Sequence, residues 1–553
     1  MIEKKHQKFF VVLSLIFATF LLYFVSLGNY ALMEPDEGRY AEIPREMIEA
    51  GDYLTPRLNY VHYFEKPPMH YWLNSLSFKM FGQNEFAARF PTALLAVIGA
   101  IAIAFLASEF IGFTGAVVTY VVTVTSLLYY AIGSITITDM PLSAFMTISL
   151  VAYFIAHKRE SRLWYLVFYV ALALGVLTKG LIAIVLPGGI IFFYILLTRQ
   201  WKLLYISLYI PGIILFFAIT VAYFYPVCVV NPDFFYFFFI REHFLRYTTT
   251  IHARYQPFWY YFPMIPAAVV PWTGFLPSIF SKNGLRGERN EDRRHLFIYS
   301  ALWFLVILFF FSFSNSKLIP YIVPCIPPLA LLISANLVKM QEENCTFGGA
   351  KFWLFLCNGL LAIALVAFPI ICYYLPQDET TEIGMSLLKT GVISSIALVS
   401  MPILFAILSK KNVQHALVAL CFASCAFIIS LHPLLPAISE VRTLKFVSEY
   451  VIANCPEDVT LVSYREVLQG LSFYTKKRVL QVEELGELEF GASKPSAEGW
   501  FLKKEEFAPL WRSKKKFVIV VRDDTRVDGF FTNGTTYANK TRIGKYLVIT
   551  NYK

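Results

Sequence analysis

Charged and hydrogen-bonding side chains cluster where hydrophobic segments end, although most of this 553-residue chain is apolar. The segment "PDEGR" places Asp36 and Arg39 just after the first hydrophobic run, and "YFEKPP" adds Tyr63, Glu65 and Lys66. Carboxylates can steer or deprotonate an acceptor, and cations can hold a departing phosphate. A reaction that transfers a group from a lipid-phosphate donor requires these residue types.

Further candidates stand beside later hydrophobic runs, in "TITDMP", "LTKG", "REHFLRY" and "SNSKLIPYIVP". They are Asp139, Lys179, His243, Arg246, Lys317 and Tyr321. Each has a structural alternative: an acidic residue before a helix is commonly a cap, and a lysine at a helix end can extend towards water. A histidine such as His243 is more often a hydrogen-bonded structural group than a ligand. The shared position of these residues at helix ends is therefore a stronger signal than any one of them.

The elements that position these residues are membrane helices. Of the residues, 57% are hydrophobic and only 16% are charged, with a mean hydropathy of +0.57. Soluble domains keep about a quarter of their residues charged. Charge-free runs of about 17 to 25 residues predict thirteen transmembrane helices. They lie near 9–27, 91–107, 111–131, 140–156, 163–178, 180–197, 203–225, 263–280, 296–313, 318–338, 352–375, 390–408 and 415–432. The span 263–280 contains four prolines and is expected to be kinked.

Orientation follows from the basic residues of the short loops. With the N-terminus in the cytoplasm, the inside loops are rich in Lys and Arg, whereas the short outside loops hold only Lys179, Lys317 and Lys389. This distribution also accounts for the net charge of +10, so nucleic-acid binding is not expected. The candidate residues then face the outside of the cell membrane.

The predicted organisation is a transmembrane domain, 1–432, followed by an extracytoplasmic domain, 433–553. Two large outside loops, 28–90 and 226–262, interrupt the membrane domain. In the first, "EGRYAEIPREMIEAG" predicts a short amphipathic helix ending at Gly51, which could lie in the membrane interface. In the C-terminal segment, "DVTLVSY", "KKFVIVV" and "KYLVIT" predict strands and "EVRTLKFVSEYVIANC" a helix, which together indicate a small α/β domain.

The interiors of the predicted spans contain no Asp, Glu, Lys or Arg. Transporters place such groups within the membrane to bind or relay ions. The pattern therefore favours an enzyme acting on lipid-anchored substrates over a flippase or transporter, which stays the alternative from a different class. The eight cysteines show no metal-binding or disulfide spacing. Since Lys66, Lys179 and Arg246 could hold the phosphate, no cofactor is expected, although a divalent metal could serve the same purpose.

At these motifs the chain resembles the C-type polytopic glycosyltransferases (GT-C fold) of the protein O-mannosyltransferase-like clan. It is most similar to the bacterial lipid A aminoarabinose transferases. The matching stretches are "PDEGRYAEIPREM", "YFEKPPMHYW", "TDMP", "LTKG", "EHFLRY" and "SKLIPYIVPCIPPLAL". The resemblance implies an inverting transfer of 4-amino-4-deoxy-L-arabinose from undecaprenyl phosphate to lipid A by a monomer in the bacterial inner membrane, a lipopolysaccharide modification that confers polymyxin resistance.

The resemblance also implies residue roles. Asp36 and Asp139 would be the catalytic carboxylates. The lipid-phosphate pocket would be lined by Lys66, Arg39, Lys179, Arg246 and Tyr321. The pocket rim would hold Tyr63, Glu65, His243 and Lys317. The open alternatives are another sugar (hexosamine, hexose or mannose) and a protein Ser/Thr acceptor.

Overall fold

The computed structural model describes residues 2–245, 256–280, 288, 290–343, 348–374, 381–522, 527, 530–531 and 536–553. Of residues 2–5, 243–245, 372–374 and 381–385 it describes only the backbone. The chain forms two compact units. The first consists of Met1–Leu27 and Phe90–Leu435, and the second of Gly28–Arg89 and Pro436–Lys553. The large loop 28–90 is thus grouped with the C-terminal segment.

The first unit is built of long apolar helices. Among the described residues, ten helices are long and apolar enough to cross a membrane. They are His6–Tyr23, Glu85–Phe110, Asp139–Arg159, Arg162–Lys179, Ile210–Val230, Glu291–Phe313, Ile319–Glu342, Gly348–Ile371, Ser386–Leu408 and Val413–Arg442. Two bent helix pairs and the shorter apolar helix Ile182–Thr198 correspond to the remaining predicted spans. The predicted polytopic helical membrane fold is confirmed.

The bent pairs are Gly112–Thr125 with Leu127–Gly133, at 65°, and Phe258–Ala268 with Thr273–Ile279, at 108°. The second pair lies in the proline-rich span, where the kink was predicted. Proline removes an intrahelical hydrogen bond and its ring clashes with the preceding turn. The bend therefore follows directly from composition.

Shorter helical elements complete this unit in the described residues. They are Lys202–Ser207, the π-helix Tyr236–Leu245, and the 3₁₀ segments Phe258–Tyr260, Thr273–Phe275 and Ile319–Cys325. The aromatic side chains of the π-helix pack against one another and against Phe224, as in the 5.8 Å ring contact between Phe224 and Phe238.

The second unit contains a six-stranded mixed sheet and a small hairpin. The hairpin strands are β1 (Arg57–Leu58) and β2 (Val61–His62). The sheet strands are β3 (Thr460–Tyr464), β4 (Val479–Val482), β5 (Phe501–Leu502), β6 (Phe517–Arg522), β7 (Asn539–Ile543) and β8 (Tyr546–Thr550). Their order is β5-β4-β3-β6-β8-β7, with β3 to β6 parallel and β7 and β8 antiparallel.

Helices cover both faces of this sheet. Lys445–Asn454 and Gln469–Thr475 contribute to one apolar cluster, and Lys504–Trp511 to the other. Buried parallel strands need apolar side chains on both faces, which explains the all-buried run Val518–Val521 within β6. The predicted small α/β domain is confirmed, with three of its strands and its first helix where the sequence placed them.

The loop 28–90 supplies two more helices, Asp36–Ala50 and Met69–Phe81. The first ends, as predicted, at Gly51, which adopts a left-handed conformation with φ 64°. The residues from Glu37 to Met47 are buried, and within this unit Glu37 pairs with Arg89 and Glu42 with Arg45. The position of this helix at the membrane interface stays a prediction.

Candidate active site

Asp139 and Lys179 form an ion pair between two helix ends of the membrane unit. Lys179 Nζ lies 2.6 Å from Asp139 Oδ1, and both side chains are largely buried, with 16% and 13% of their surface exposed. Asp139 stands in the first turn of Asp139–Arg159, and Lys179 in the last turn of Arg162–Lys179. An acid at a helix N-terminus and a base at a C-terminus both complement the helix dipole. This placement brings a predicted catalytic carboxylate and a predicted phosphate-binding cation together.

Tyr321 joins this group. Its ring centroid is 4.9 Å from Lys179 Nζ, a cation–π contact. Tyr321 belongs to the 3₁₀ segment Ile319–Cys325, whose start is held by hydrogen bonds between the Tyr261 hydroxyl and the backbone of Leu318. The ammonium of Lys179 is therefore oriented from two sides, by a carboxylate and by an aromatic face.

Lys317 lies four residues before Tyr321 in the chain and is buried, but it makes different contacts. Its ammonium donates to the backbone carbonyls of Gln256 and Ser314. Burial lowers the pKa of Lys317 below its usual value. These two hydrogen bonds to backbone carbonyls are enough to explain the burial of Lys317 by a structural role, in which it joins the two chain segments.

Arg39 is the centre of the candidate residues in the second unit. Its guanidinium forms ion pairs with Asp36 and with Glu487, and it donates to the Tyr63 hydroxyl at 3.2 Å. Arg39 is only 6% exposed, whereas the Asp36 side chain is 57% exposed at the first turn of its helix. A buried arginine thus orients an accessible carboxylate, which is an arrangement suited to contacting a substrate.

Glu487 was not identified in the sequence. It also lies within hydrogen-bonding distance of the Tyr63 hydroxyl (3.4 Å) and of Gln469 Nε2 (3.3 Å). It stands 448 positions from Arg39 in the chain, in a segment without a recognisable motif. Its only sequence signal is an acidic residue in a charged loop, which is too common to be informative.

Lys66 and Glu65 are adjacent in the loop of the second unit. Lys66 Nζ is 3.7 Å from Glu65 Oε2 and donates to the Glu65 backbone carbonyl at 3.0 Å. Both side chains are largely buried, with 13% and 12% exposed. The proline pair that follows restricts the backbone after them, so the ammonium is presented from a stiff segment.

Glu34, another residue that the sequence did not single out, is buried two positions before Asp36. Its Oε1 accepts a hydrogen bond from the backbone N–H of Gly470 at 2.9 Å. A side chain on Gly38 or Gly470 would collide with this carboxyl group, which explains both glycines. Burial raises the pKa of Glu34 to about 8, although backbone hydrogen bonds and the charges of Arg522 and Arg39 oppose the shift.

One ion pair of the loop 28–90 has a structural role. Arg89 and Glu37 form a bidentate pair, with both N–O distances 2.8 Å, and Arg89 also donates to the carbonyls of Tyr30 and Ala31. Both side chains are almost fully buried. These groups satisfy each other, as buried charges must.

Arg246 lies outside the described residues, as does the side chain of His243. The remaining predicted residues form two groups. Asp139, Lys179, Tyr321 and Lys317 belong to the membrane unit, and Asp36, Arg39, Tyr63, Glu65 and Lys66 to the second unit. Their roles stay predictions, but each group contains an acid, a base and a tyrosine brought together by tertiary contacts.

Comparisons with known proteins agree with this architecture. Residues 65–225 match a family model described as dolichyl-phosphate-mannose-protein mannosyltransferase, and residues 447–551 match one described as the aminoarabinose transferase C-terminal domain. Together with the helical membrane fold and the polar groups at the helix ends, these matches identify the class of the protein. It is a membrane glycosyltransferase that uses a polyprenyl-phosphate-linked sugar. The chain belongs to the family of undecaprenyl phosphate-α-4-amino-4-deoxy-L-arabinose arabinosyl transferases.

Two relatives match over most of their length. The transferase of that name from Edwardsiella ictaluri is 30% identical over 90% of both chains. The one from Erwinia tasmaniensis is 30% identical over 93% of this chain and 92% of its own. The crystal structure of ArnT from Cupriavidus metallidurans bound to undecaprenyl phosphate superposes with a TM-score of 0.88 and 26% identity, covering 98% of each chain.

Proposed function

We propose that this protein transfers 4-amino-4-deoxy-L-arabinose from undecaprenyl phosphate to a phosphate group of lipid A. The supporting observation is the full-length similarity to transferases named for this donor, including one crystallised with undecaprenyl phosphate. An acceptor oxygen attacks the anomeric carbon of the sugar, the bond from that carbon to the polyprenyl phosphate breaks, and the configuration inverts.

The proposed residue roles are those that the family resemblance implies. Lys66, Lys179 and Arg246 are the cations assigned to the donor phosphate, and within the membrane unit the Lys179 ammonium is oriented by Asp139 and Tyr321. Asp36, held by Arg39, contacts and orients the sugar. A compact ammonium on a stiff segment suits a phosphate, and charge-assisted hydrogen bonds are the strong ones. The proposal invokes no cofactor, because cations of the chain supply the phosphate contacts.

The acceptor is proposed from charge. A hydroxyl acceptor must lose a proton during attack and needs a general base, whereas a phosphate monoester is already anionic near neutral pH. Candidate cations are abundant in the loops predicted outside: Arg39, Arg57, Lys66, Lys179, Arg241, Arg246, Arg254 and Lys317. Such cations offset repulsion between acceptor and donor phosphates, so Asp36 positions the sugar and does not remove a proton.

The test is turnover by purified protein in detergent with aminoarabinosyl undecaprenyl phosphate and lipid A, followed by mass spectrometry. We expect lipid A to gain one pentosamine, and the gain to vanish after enzymatic removal of both lipid A phosphates. The rate should rise with pH through the second ionisation of the phosphate, at about pH 6. Full activity on dephosphorylated lipid A, transfer to a Ser/Thr peptide, or absence of turnover without two compartments would contradict the proposal.

We also propose that the N-terminus is cytoplasmic and that both polar loops and the C-terminal domain face the periplasm at the inner membrane. The bias of Lys and Arg among the short loops supports this orientation. In intact spheroplasts, Asp458→Cys should react with an impermeant thiol reagent and Glu291→Cys should not. Both positions have exposed side chains, 71% and 89%, so accessibility alone does not separate them. The opposite labelling pattern would reverse the orientation.

A further inference from the structure

The sheet of the second unit has a topological switch point. From β3 the chain continues outward to β4 and β5, and then returns to β6 on the other side of β3. After β3 the chain forms the helix Gln469–Thr475 on one face of the sheet. After β6, Val527 and Phe530 pack on the opposite face. In parallel α/β sheets, ligands bind in the crevice that such a switch point leaves at the carboxyl ends of the strands.

Basic side chains gather at this end of the sheet. Arg522 is the last residue of β6 and pairs in register with Tyr546, the first residue of β8. Lys545 immediately precedes Tyr546. Arg442 comes from the chain before the domain's first helix, and its guanidinium donates to the backbone carbonyl of Glu34 at 3.2 Å. Three cations from separate chain segments therefore converge near the carboxyl ends of β3 and β6.

The charges of Arg522 and Arg442 both act on Lys545. Burial lowers the pKa of Lys545, and the charges of Arg522 and Arg442 lower it further, while Glu466 and Glu34 act in the opposite direction. Glu466 accepts from the Arg522 backbone N–H at 2.6 Å and lies 3.0 Å from Arg522 Nε, so one carboxylate faces three cations. With Glu34 protonated below about pH 8, the cluster keeps a net positive charge.

The cluster is also open to a ligand. The Arg522 side chain is 41% exposed, and Arg442 is exposed. The hydroxyl of buried Tyr546 lies beside the Arg522 side chain, so it belongs to the same cluster. Structural ion pairs balance their charges, whereas a site that binds an anion keeps an excess of cations.

We propose that Arg442, Arg522 and Lys545 form a binding site for a phosphate monoester of the acceptor lipid at the switch point of the C-terminal sheet. This inference rests on the proposed function, because it names where the acceptor is recognised. Glu34 contacts this cluster through the Arg442 backbone and stands two residues before Asp36, so the site continues into the segment that carries the candidate catalytic carboxylate.

The experiment measures binding, not turnover, with full-length protein in phospholipid-free detergent and no donor. The probes are lipid A with both phosphates, with either one removed, and with none. For the unmodified protein, loss of the recognised phosphate should weaken binding about tenfold to a hundredfold, the usual effect of charge-assisted hydrogen bonds. In Arg522→Gln/Lys545→Gln, binding of the bisphosphorylated lipid should fall by that factor and become insensitive to phosphate removal.

The matched control is Lys515→Gln/Lys516→Gln, which removes two cations just before β6, at the opposite end of the same strands. It should behave like the unmodified protein. Lys545→Gln alone provides a milder variant that keeps the Arg522–Glu466 contact, and it should show part of the effect at an unchanged melting temperature. Because donor binding does not involve these cations, affinity for undecaprenyl phosphate should be unchanged in every variant.

Several results would overturn this inference. If removal of the lipid A phosphates weakened binding equally in the variant and the unmodified protein, the proposed site would be refuted. This would hold even if turnover confirms the transferase activity. Competition by phosphatidylglycerol, a diester, would identify a membrane headgroup site instead. Asp523 and Asp524 follow Arg522 in the sequence, outside the described residues. Since carboxylates weaken anion binding, Asp523→Asn/Asp524→Asn should keep or raise the affinity, and a loss would count against a phosphate site.

Discussion

Lys179 Nζ lies 2.6 Å from Asp139 Oδ1, so the last turn of one membrane helix is joined to the first turn of another. The two residues are 40 positions apart and stand at opposite poles of their helix dipoles. The contact gives both residues a structural function in addition to the proposed catalytic one, and the two functions can be separated experimentally.

Asp139→Asn should lower stability by about 1–3 kcal/mol, between the values for exposed and buried pairs, because it leaves Lys179 without its carboxylate. Activity should fall severely but stay measurable. In Asp139→Asn/Lys179→Gln the stability losses should be less than additive, as measured by thermal melting in detergent. Strictly additive losses would show that the pair does not stabilise the protein.

Asp36→Asn should reduce turnover by about a hundredfold or more, because the sugar loses the carboxylate that positions it. Because the Asp36 side chain is 57% exposed, melting temperature and donor affinity should change little. Asp52→Asn, which removes the carboxylate paired with Arg57 in the same loop, is the control and should keep its activity. Normal turnover in the Asp36 variant would refute its assignment.

Lys66→Ala should weaken binding of undecaprenyl phosphate about tenfold to a hundredfold, since it removes a charge-assisted hydrogen bond to the phosphate. Lys79→Ala removes a lysine of the same loop that packs over the Tyr53 ring, and its affinity should match that of the unmodified protein. Calorimetric titration with the lipid provides the measurement. If the Lys66 variant bound the lipid with unchanged affinity, Lys66 would not bind the phosphate, and Lys179 and Arg246 would be tested next.

Glu487→Ala should lower kcat about tenfold to a hundredfold, with little change in donor affinity, because Arg39 loses one of the two carboxylates that orient it. Arg39→Lys should cause a similar loss, since an ammonium cannot bridge Asp36, Glu487 and Tyr63 at once. The double variant should be no worse than the poorer single one. Multiplying losses would show that Glu487 acts independently of Arg39.

The buried carboxyl of Glu34 should make stability depend on pH. Its pKa is about 8 in the folded protein, above its ordinary value of 4.5, so folding favours the protonated form. Stability is then highest below about pH 4.5 and declines as the pH rises from there to about 8, by about 5 kcal/mol at most. In Glu34→Gln, which keeps the acceptor oxygen for Gly470, this decline of the melting temperature should be reduced. An identical pH profile would contradict the assignment.

Much of this architecture was predictable from the sequence, because local composition decides it. Charge-free runs define the spans, since uncompensated charges are costly in lipid. Prolines produce the bend after Phe258, and β-branched runs produce strands β3, β6 and β8. The motifs at helix ends likewise indicated Asp36, Lys66, Asp139 and Lys179 as candidates without showing which of them meet.

Only the tertiary structure shows which of these side chains contact one another. Arg39 meets Glu487 from 448 positions away, and the carboxyl of Glu34 fits against Gly470 from 436 positions away. The residues from Glu37 to Met47 are buried within the second unit, where Glu37 pairs with Arg89. Periodicity reports which residues share a helix face, but burial of that face depends on what packs against it. Long-range pairing depends on chain topology, which no local pattern encodes, and so the convergence of Arg442, Arg522 and Lys545 became visible only once the strands were ordered.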